Sequence, residues 1–427
     1  MVEAGNFTLL KSVVERRAAH SQNFFFTGQE ILATAKAQLG KIYNFKLGFS
    51  VDEKSLNNHQ RQLVLNTDKM YDTESSFCTS NAIDAIFEIE GAREVYGASF
   101  VKPEMAESAD LIFKRDNIVI VADGASMVVK PETNPDFPKI VLEKCMVGDK
   151  FMPDVLWSTM LANLIGKDNF KSPFKEDVKK SIESQSELNN LKEAIKKETD
   201  PEKIIKLINQ GAGIFLKNYF GMEVNEDSKV FLPSGILGIV NLETKHWASV
   251  GDIRIGYTSG SKGQVKTVNQ YDKVSNYDAA AIGTDTWLKE ALASARTFEV
   301  GNLQGLQVDI ESGVIPETVS SSRTNGKGAV VMWSDGEDML DIANDQYDSF
   351  YGHNVRDPSI SFTGTLIARN PFLYTLYLLH CQNRYKKNID SENKFFNSSG
   401  HPSMRLKQIM KKPPWRADEA SFVVVYE

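Results

Sequence analysis

The chain has 427 residues, 41% of them hydrophobic and 25% charged, and its 49 Lys and Arg against 56 Asp and Glu leave a formal charge of −7. This is the balance of an ordinary globular protein with apolar mass for a sizeable core, and it excludes a wholly disordered chain. It also argues against a general nucleic-acid binder, which needs a basic face to neutralise phosphates. Residues 1–94 read as a polar N-terminal extension, with a helix-like piece at 30–39 and a Ser/Thr/Asn-rich stretch at 73–81. From residue 95 to the end the texture predicts one folded domain. Residues 117–122 (NIVIVA) have the β-branched content of a buried strand, ended by Asp-Gly. Residues 154–220 read as helical, and Asp200-Pro201 supplies a cap followed by proline at the first helical position. Ile204, Ile208, Phe215 and Tyr219 then recur on one helical face. The charged segment 175–197 predicts a solvated helix.

After Pro233 the β texture returns. Residues 235–242 and 246–257 predict a hairpin joined by Glu243-Thr244-Lys245, and 329–333 (AVVMW) and 421–426 (SFVVVY) predict two further strands. Strands, then helices, then strands predict an α+β fold with antiparallel pairing. No G-x-G-x-x-G follows a strand and no GxxxxGK[ST] is present, so nucleotide-binding folds lose their main support. Cys78, Cys145 and Cys381 form no CxxC, and the six histidines form no HExxH, which excludes a disulfide-dense scaffold and a cysteine-rich zinc module. The N-terminus has no signal-peptide pattern, and the apolar run at 372–379 is far too short to span a membrane; a reducing cytoplasm is the expected compartment.

The informative pattern is where the aspartates fall. Asp123-Gly124 follows the strand at 117–122, and Ser334-Asp335-Gly336 follows the strand at 329–333. Asp418 precedes the last strand, and Asp110 precedes the strand-like Leu111-Ile112-Phe113. In an antiparallel sheet the end of one strand lies beside the start of its neighbour, so these four can gather at one edge. Hard divalent cations such as Mg²⁺ or Mn²⁺ select carboxylate oxygens, and two such ions can activate a water for in-line attack on phosphorus. Taken singly, an Asp-Gly at a strand end is an ordinary turn.

The ordered set resembles the metal-dependent protein phosphatases of the PP2C (PPM) family. The matching stretches are Ala109-Asp110, Asp123-Gly124-Ala125, Gly251-Asp252-Ile253-Arg254, Ser334-Asp335-Gly336 and Asp418-Glu419, over roughly residues 95–427. The resemblance implies an α+β fold, a β-sandwich of two antiparallel sheets flanked by helices. It implies Mn²⁺ or Mg²⁺ as cofactor, two ions in all, and a phosphorylated protein as substrate. Asp123 would bridge both metals, with the Gly124 carbonyl on one of them. Asp335 and Asp418 would hold the other metal, and Asp110 would lie on the second-metal side; Asp123 and Asp335 are the expected catalytic pair.

The sequence departs from the family pattern at Ala109, Ser126-Met127, Ile253 and Glu419, and neither Arg93 nor Lys102 matches the arginine that grips phosphate. A missing bidentate grip weakens recognition of a phosphomonoester dianion. Two alternatives follow. One is a phosphodiester hydrolase that removes AMP or a similar group from a modified protein; the other is a catalytically inert PP2C-like interaction module. Other chemistry-bearing residues have plainer readings. Asp252 with Arg254 reads as an ion pair on one strand face, and His246 as partly packed beside Trp247. Asp338 and Asp341 read as first-turn helix acids, 258–263 (TSGSKG) as a hairpin tip, and His380 and Cys381 as ordinary structure. Arg405, Lys407, Lys411 and Lys412 form a solvated basic segment.

Overall fold

A computed structural model describes residues 23–26, 83–90, 92–100, 108–125, 127, 129, 131, 134–225, 227–251, 253–261, 263–269, 303–324, 326–334, 360–369, 371 and 420–427. In chain order its elements are β1 (Asn23–Phe26), β2 (Ile83–Glu90), β3 (Arg93–Phe100), β4 (Asp110–Arg115), β5 (Ile118–Ala125), α1 (Lys139–Cys145), β6 (Met146–Val147), β7 (Lys150–Phe151), α2 (Pro153–Ile165), α3 (Lys175–Glu183), α4 (Ser186–Lys197), α5 (Pro201–Phe220), β8 (Ser234–Asn241), β9 (His246–Val250), β10 (Arg254–Ser259), β11 (Gln264–Thr267), β12 (Glu311–Val314), β13 (Ala329–Trp333), β14 (Ile360–Ser361), α6 (Phe362–Arg369) and β15 (Ala420–Tyr426). Two larger antiparallel sheets with helices make this the α+β class that the sequence predicts. The chain divides into two compact units, Met1–Ala106 with Gly256–Thr267 and Glu317–Glu427, and Glu107–Ile255 with Val268–Pro316.

In the first unit the strands run in the order β1-β2-β3-β15-β13-β10-β11-β14. Its centre is β15, whose FVVVY run is buried throughout and pairs antiparallel with β13 on one side and β3 on the other. The β2–β3 hairpin brings residues 83–90, from the segment read as an extension, into this sheet. Helix α6 packs on β11, β13 and β15, and the Tyr426 hydroxyl donates to the Ala368 carbonyl at 2.9 Å.

The second unit holds a five-stranded sheet in the order β12-β9-β8-β5-β4. Helices α2 and α5 pack on this sheet, and α3 and α4 pack on those two helices. The charged segment is two helices and not one. Val178 and Ile182 in α3, and Leu188, Leu191 and Ile195 in α4, recur at three to four residues and bury one face of each. The predicted cap is present: the Asp200 carboxylate accepts from the Glu202 and Lys203 amides at 3.0 and 3.3 Å. Asp200→Ala is expected to cost about 1 kcal/mol in a denaturant titration, as the loss of an N-cap does.

Two boundaries differ from the sequence reading. The run 246–257 is two strands, β9 and β10, in different sheets. It breaks at Gly251, whose φ of 80° takes the backbone out of the extended region. The strand predicted at 117–122 continues through Asp123 and Gly124 to Ala125, because β8 pairs with it over its whole length. The turn lies at the other end of β5: Asp116, at φ 48°, and Asn117 form the two-residue loop of the β4–β5 hairpin. Among the described residues no helix is long and apolar enough to cross a membrane.

Candidate metal centre

Asp110 is the first residue of β4 and stands directly opposite Asp123 of β5. The Gly124 amide donates to the Ala109 carbonyl at 3.1 Å, outside the pair and not between its members. Asp110 and Asp123 are therefore a non-hydrogen-bonded pair, the closer of the two antiparallel arrangements, with Cα atoms about 4.5 Å apart. Their side chains share one face of the sheet. Asp110 is 2% exposed and Asp123 half-buried. Two carboxylates directly opposite each other repel, at a cost that a cation between them reverses. The donor set is hard oxygen, which suits Mg²⁺ or Mn²⁺ and not a soft metal.

The opposite face of the sheet explains how this pair is held. Gly124 of β5 and Gly235 of β8 are cross-strand partners, and α2 presses on both. A Cβ on Gly124 would lie 2.8 Å from the Asp154 carbonyl carbon and 2.9 Å from Ser158 Oγ; on Gly235 it would lie 2.5 Å from Trp157 Cδ2. Glycine at 124 thus lets a helix close on the sheet behind Asp123, and the Asp-Gly pair is strand, not turn. Amide and carbonyl of one strand residue point to the same side. The Gly124 carbonyl therefore faces β4 where that strand begins, beside Asp110.

Several neighbours carry no signal in the sequence. Ser158, wholly buried on α2, donates its hydroxyl to the Ala109 carbonyl, and the Asp110 amide donates to Ser108 Oγ at 3.1 Å. Asp154, in the first turn of α2, is buried, and its Oδ1 accepts from the Val155 amide at 2.9 Å. Burial pushes the nearby Cys145 thiol well above the usual thiol range, and Asp154 adds to the shift. Gly251 packs on Ile236, the cross-strand partner of Asp123. The turn that follows is pinned by buried Asn269, which donates to the Ile253 carbonyl at 2.6 Å and accepts from the Ile255 amide at 2.9 Å.

Asp335 and Asp418 lie outside the described residues, as do Asp252, Lys102, Asp338, Asp341, His380, Cys381 and the basic residues 405–412. The chain is described up to Ser334 and again from Ala420, within the first unit. Beyond the Trp333–Phe422 pair, the Ser334 amide donates to the Ser421 carbonyl and the Ser421 amide to Ser334 Oγ, both at 2.9 Å. Ser334 and Ser421 thus mark one end of the β13–β15 pair; in sequence Asp335 directly follows the first and Asp418 precedes the second by three residues. Arg93 is at the other end: its neighbour Glu94 pairs with Tyr426, whereas Ser99 pairs with Ser421. That separation is about 20 Å at the rise of a strand. His246 is exposed at the start of β9 and not packed; the buried part of the strand begins at Trp247. Residues 258–263 include the β10–β11 hairpin connection, as predicted. Among the described residues no group of three or more His, Cys, Asp or Glu is placed to hold a metal.

No family model and no curated protein matches the chain. Solved structures do, PP2C/PPM serine/threonine phosphatases among them. RsbX in complex with magnesium is 9% identical over 80% of this chain and 98% of its own, with a TM-score of 0.31. The catalytic domain of the phosphatase PstP in complex with two manganese ions is 10% identical over 78% and 97%, with a TM-score of 0.31. The PPM Ser-Thr phosphatase MsPP from Mycobacterium smegmatis, in complex with cacodylate, is 10% identical over 78% and 97%, with a TM-score of 0.34. At these identities and TM-scores the likeness assigns no residue and no reaction to this chain.

Proposed function

We propose that the chain is a metal-dependent phosphohydrolase of the PP2C type that acts on a phosphorylated protein. The observation that carries this reading is the close cross-strand pairing of Asp110 with Asp123, backed by Gly124 and a helix. Asp110, Asp123 and the Gly124 carbonyl would hold Mn²⁺ or Mg²⁺. Asp335 and Asp418 join them as further ligands on the order of the motifs alone. Bound there, two ions supply Lewis-acid chemistry, lowering the pKa of a water and offsetting charge on the phosphoryl oxygens. The chain's own part is to hold its carboxylates fixed before the substrate arrives. The buried start of β4 and the glycine-lined contact with α2 do that at Asp110 and Asp123. Asp123 is the more open of the two.

A second reading keeps the ligands and changes the bond: hydrolysis of a phosphodiester that links AMP or a similar group to a protein. The position of Arg93 favours it, because that side chain is a whole strand length from the Ser334–Ser421 end and offers no grip for a dianion there. The full chain should hydrolyse a chromogenic phosphate ester in Mn²⁺ and stop on addition of EDTA. No turnover of any phosphoester in Mn²⁺ or Mg²⁺ would leave only the inert module. Mass spectrometry of an AMP-modified protein after incubation separates the two hydrolases, since only the second releases the whole nucleotide.

A further inference from the structure

We propose that Ser158 is a positioning residue for the metal-binding carboxylates, acting through the backbone and not by contact with a ligand. The inference rests on the metal reading above. Ser158 is wholly buried on α2, and its hydroxyl donates to the carbonyl of Ala109, 49 residues away in the chain. That carbonyl belongs to the peptide unit directly before Asp110, and the same oxygen accepts the amide of Gly124, the residue directly after Asp123. One acceptor therefore ties the start of β4, the strand position after Asp123, and α2. The tie matters because β4 is the edge strand of its sheet. An edge strand has a ladder on one side only, and its first residue is the one most prone to fray. If the β4 start lifts away from β5, Asp110 leaves its place opposite Asp123 and the donor set is halved. Gly124 makes the tie possible, since a Cβ there would lie 2.9 Å from Ser158 Oγ, in the space the hydroxyl uses. Thr159 gives a built-in comparison. It is buried on the same helix, and its hydroxyl donates to the Val155 carbonyl and shares a hydrogen bond with the Ser172 hydroxyl, with no bond to the strands.

The experiment is calorimetric titration of Mn²⁺ into the full chain, the Ser158→Ala and Thr159→Val variants, and Asp123→Ala, with folding of each checked by circular dichroism and thermal melting. Supporting residues of a metal site change affinity by about 10–100-fold. Ser158→Ala is expected to weaken Mn²⁺ binding by about tenfold or more, while Thr159→Val lowers the melting temperature comparably and leaves binding unchanged. Equal Mn²⁺ affinity in the wild type and Ser158→Ala would overturn the inference and leave the metal reading intact. Equal losses in Ser158→Ala and Thr159→Val would also overturn it, reducing Ser158 to a general packing role. Absence of Asp123-dependent Mn²⁺ binding in the wild type would overturn the metal reading itself, and the positioning role with it.

Discussion

Asp123→Ala is expected to lower kcat/KM for a phosphate ester in Mn²⁺ by about a hundredfold or more, the several kcal/mol that a metal contributes to a phosphoryl transition state. The backbone at Asp123 is paired with β4 on one side and β8 on the other, so removing the side chain leaves the strand in place. The loss should therefore be chemical and not a loss of fold. Asp335→Ala should do the same if that residue shares the site. The physical signature is a divergence between activity and stability. Without metal, two facing carboxylates repel, so Asp123→Ala and Asp110→Ala should each melt no lower than the wild type, and slightly higher at low salt. With Mn²⁺ the order should invert, because an ion that binds only the folded wild type raises its melting point in proportion to ln(1 + [Mn²⁺]/Kd). Asp110→Ala combined with Asp123→Ala should cost little more activity than the worse single change, as expected when both serve one ion. Equal activity in the wild type, Asp123→Ala and Asp335→Ala would defeat the assignment.

The sequence makes legible what depends on local chemistry. The Asp200-Pro201 cap, the β8–β9 hairpin, and strands β13 and β15 follow from residue type and spacing within a few positions. The gathering of Asp110 and Asp123 at one edge follows from their places at strand ends, but the two-residue turn at Asp116-Asn117 that sets their register does not, because Asn117 reads as the start of the strand. Tertiary contact is less accessible. Asp123-Gly124 has the composition of a turn and is strand, because β8 supplies partners through Ala125 and α2 needs the room that a missing Cβ leaves. Nothing local in Ser158 announces a bond to a carbonyl 49 residues earlier. The run 246–257 is apolar enough to read as one strand, and only the positive φ at Gly251 divides it between two sheets.

The contact between α2 and its sheet gives the largest expected effect on stability. A methyl group on Gly235 would meet the ring of Trp157 at three atoms, the Cδ2 contact being 2.5 Å. That ring cannot swing aside, because it is 1% exposed and its Nε1 donates to the Leu303 carbonyl at 3.0 Å, while the Leu303 amide donates back to Gly235 at 2.9 Å. Overpacking of a rigid core site costs about 1–3 kcal/mol and sometimes more. Gly235→Ala belongs at the upper end, with a fall in melting temperature of about 5–10 °C. Gly124→Ala should cost at least as much, since it meets the Asp154 backbone, which moves only if α2 moves, and it should also weaken Mn²⁺ binding. Gly221→Ala sets the scale for backbone strain alone: its φ is 66° and nothing lies within 4 Å, so about 1 kcal/mol is expected. If Trp157 is the obstacle, Gly235→Ala combined with Trp157→Leu should cost less than the two changes summed. Strict additivity in that cycle, or a Gly235→Ala no worse than Gly221→Ala, would show that α2 does not press on the sheet behind Asp123, and the geometry proposed for the carboxylate pair would lose its support.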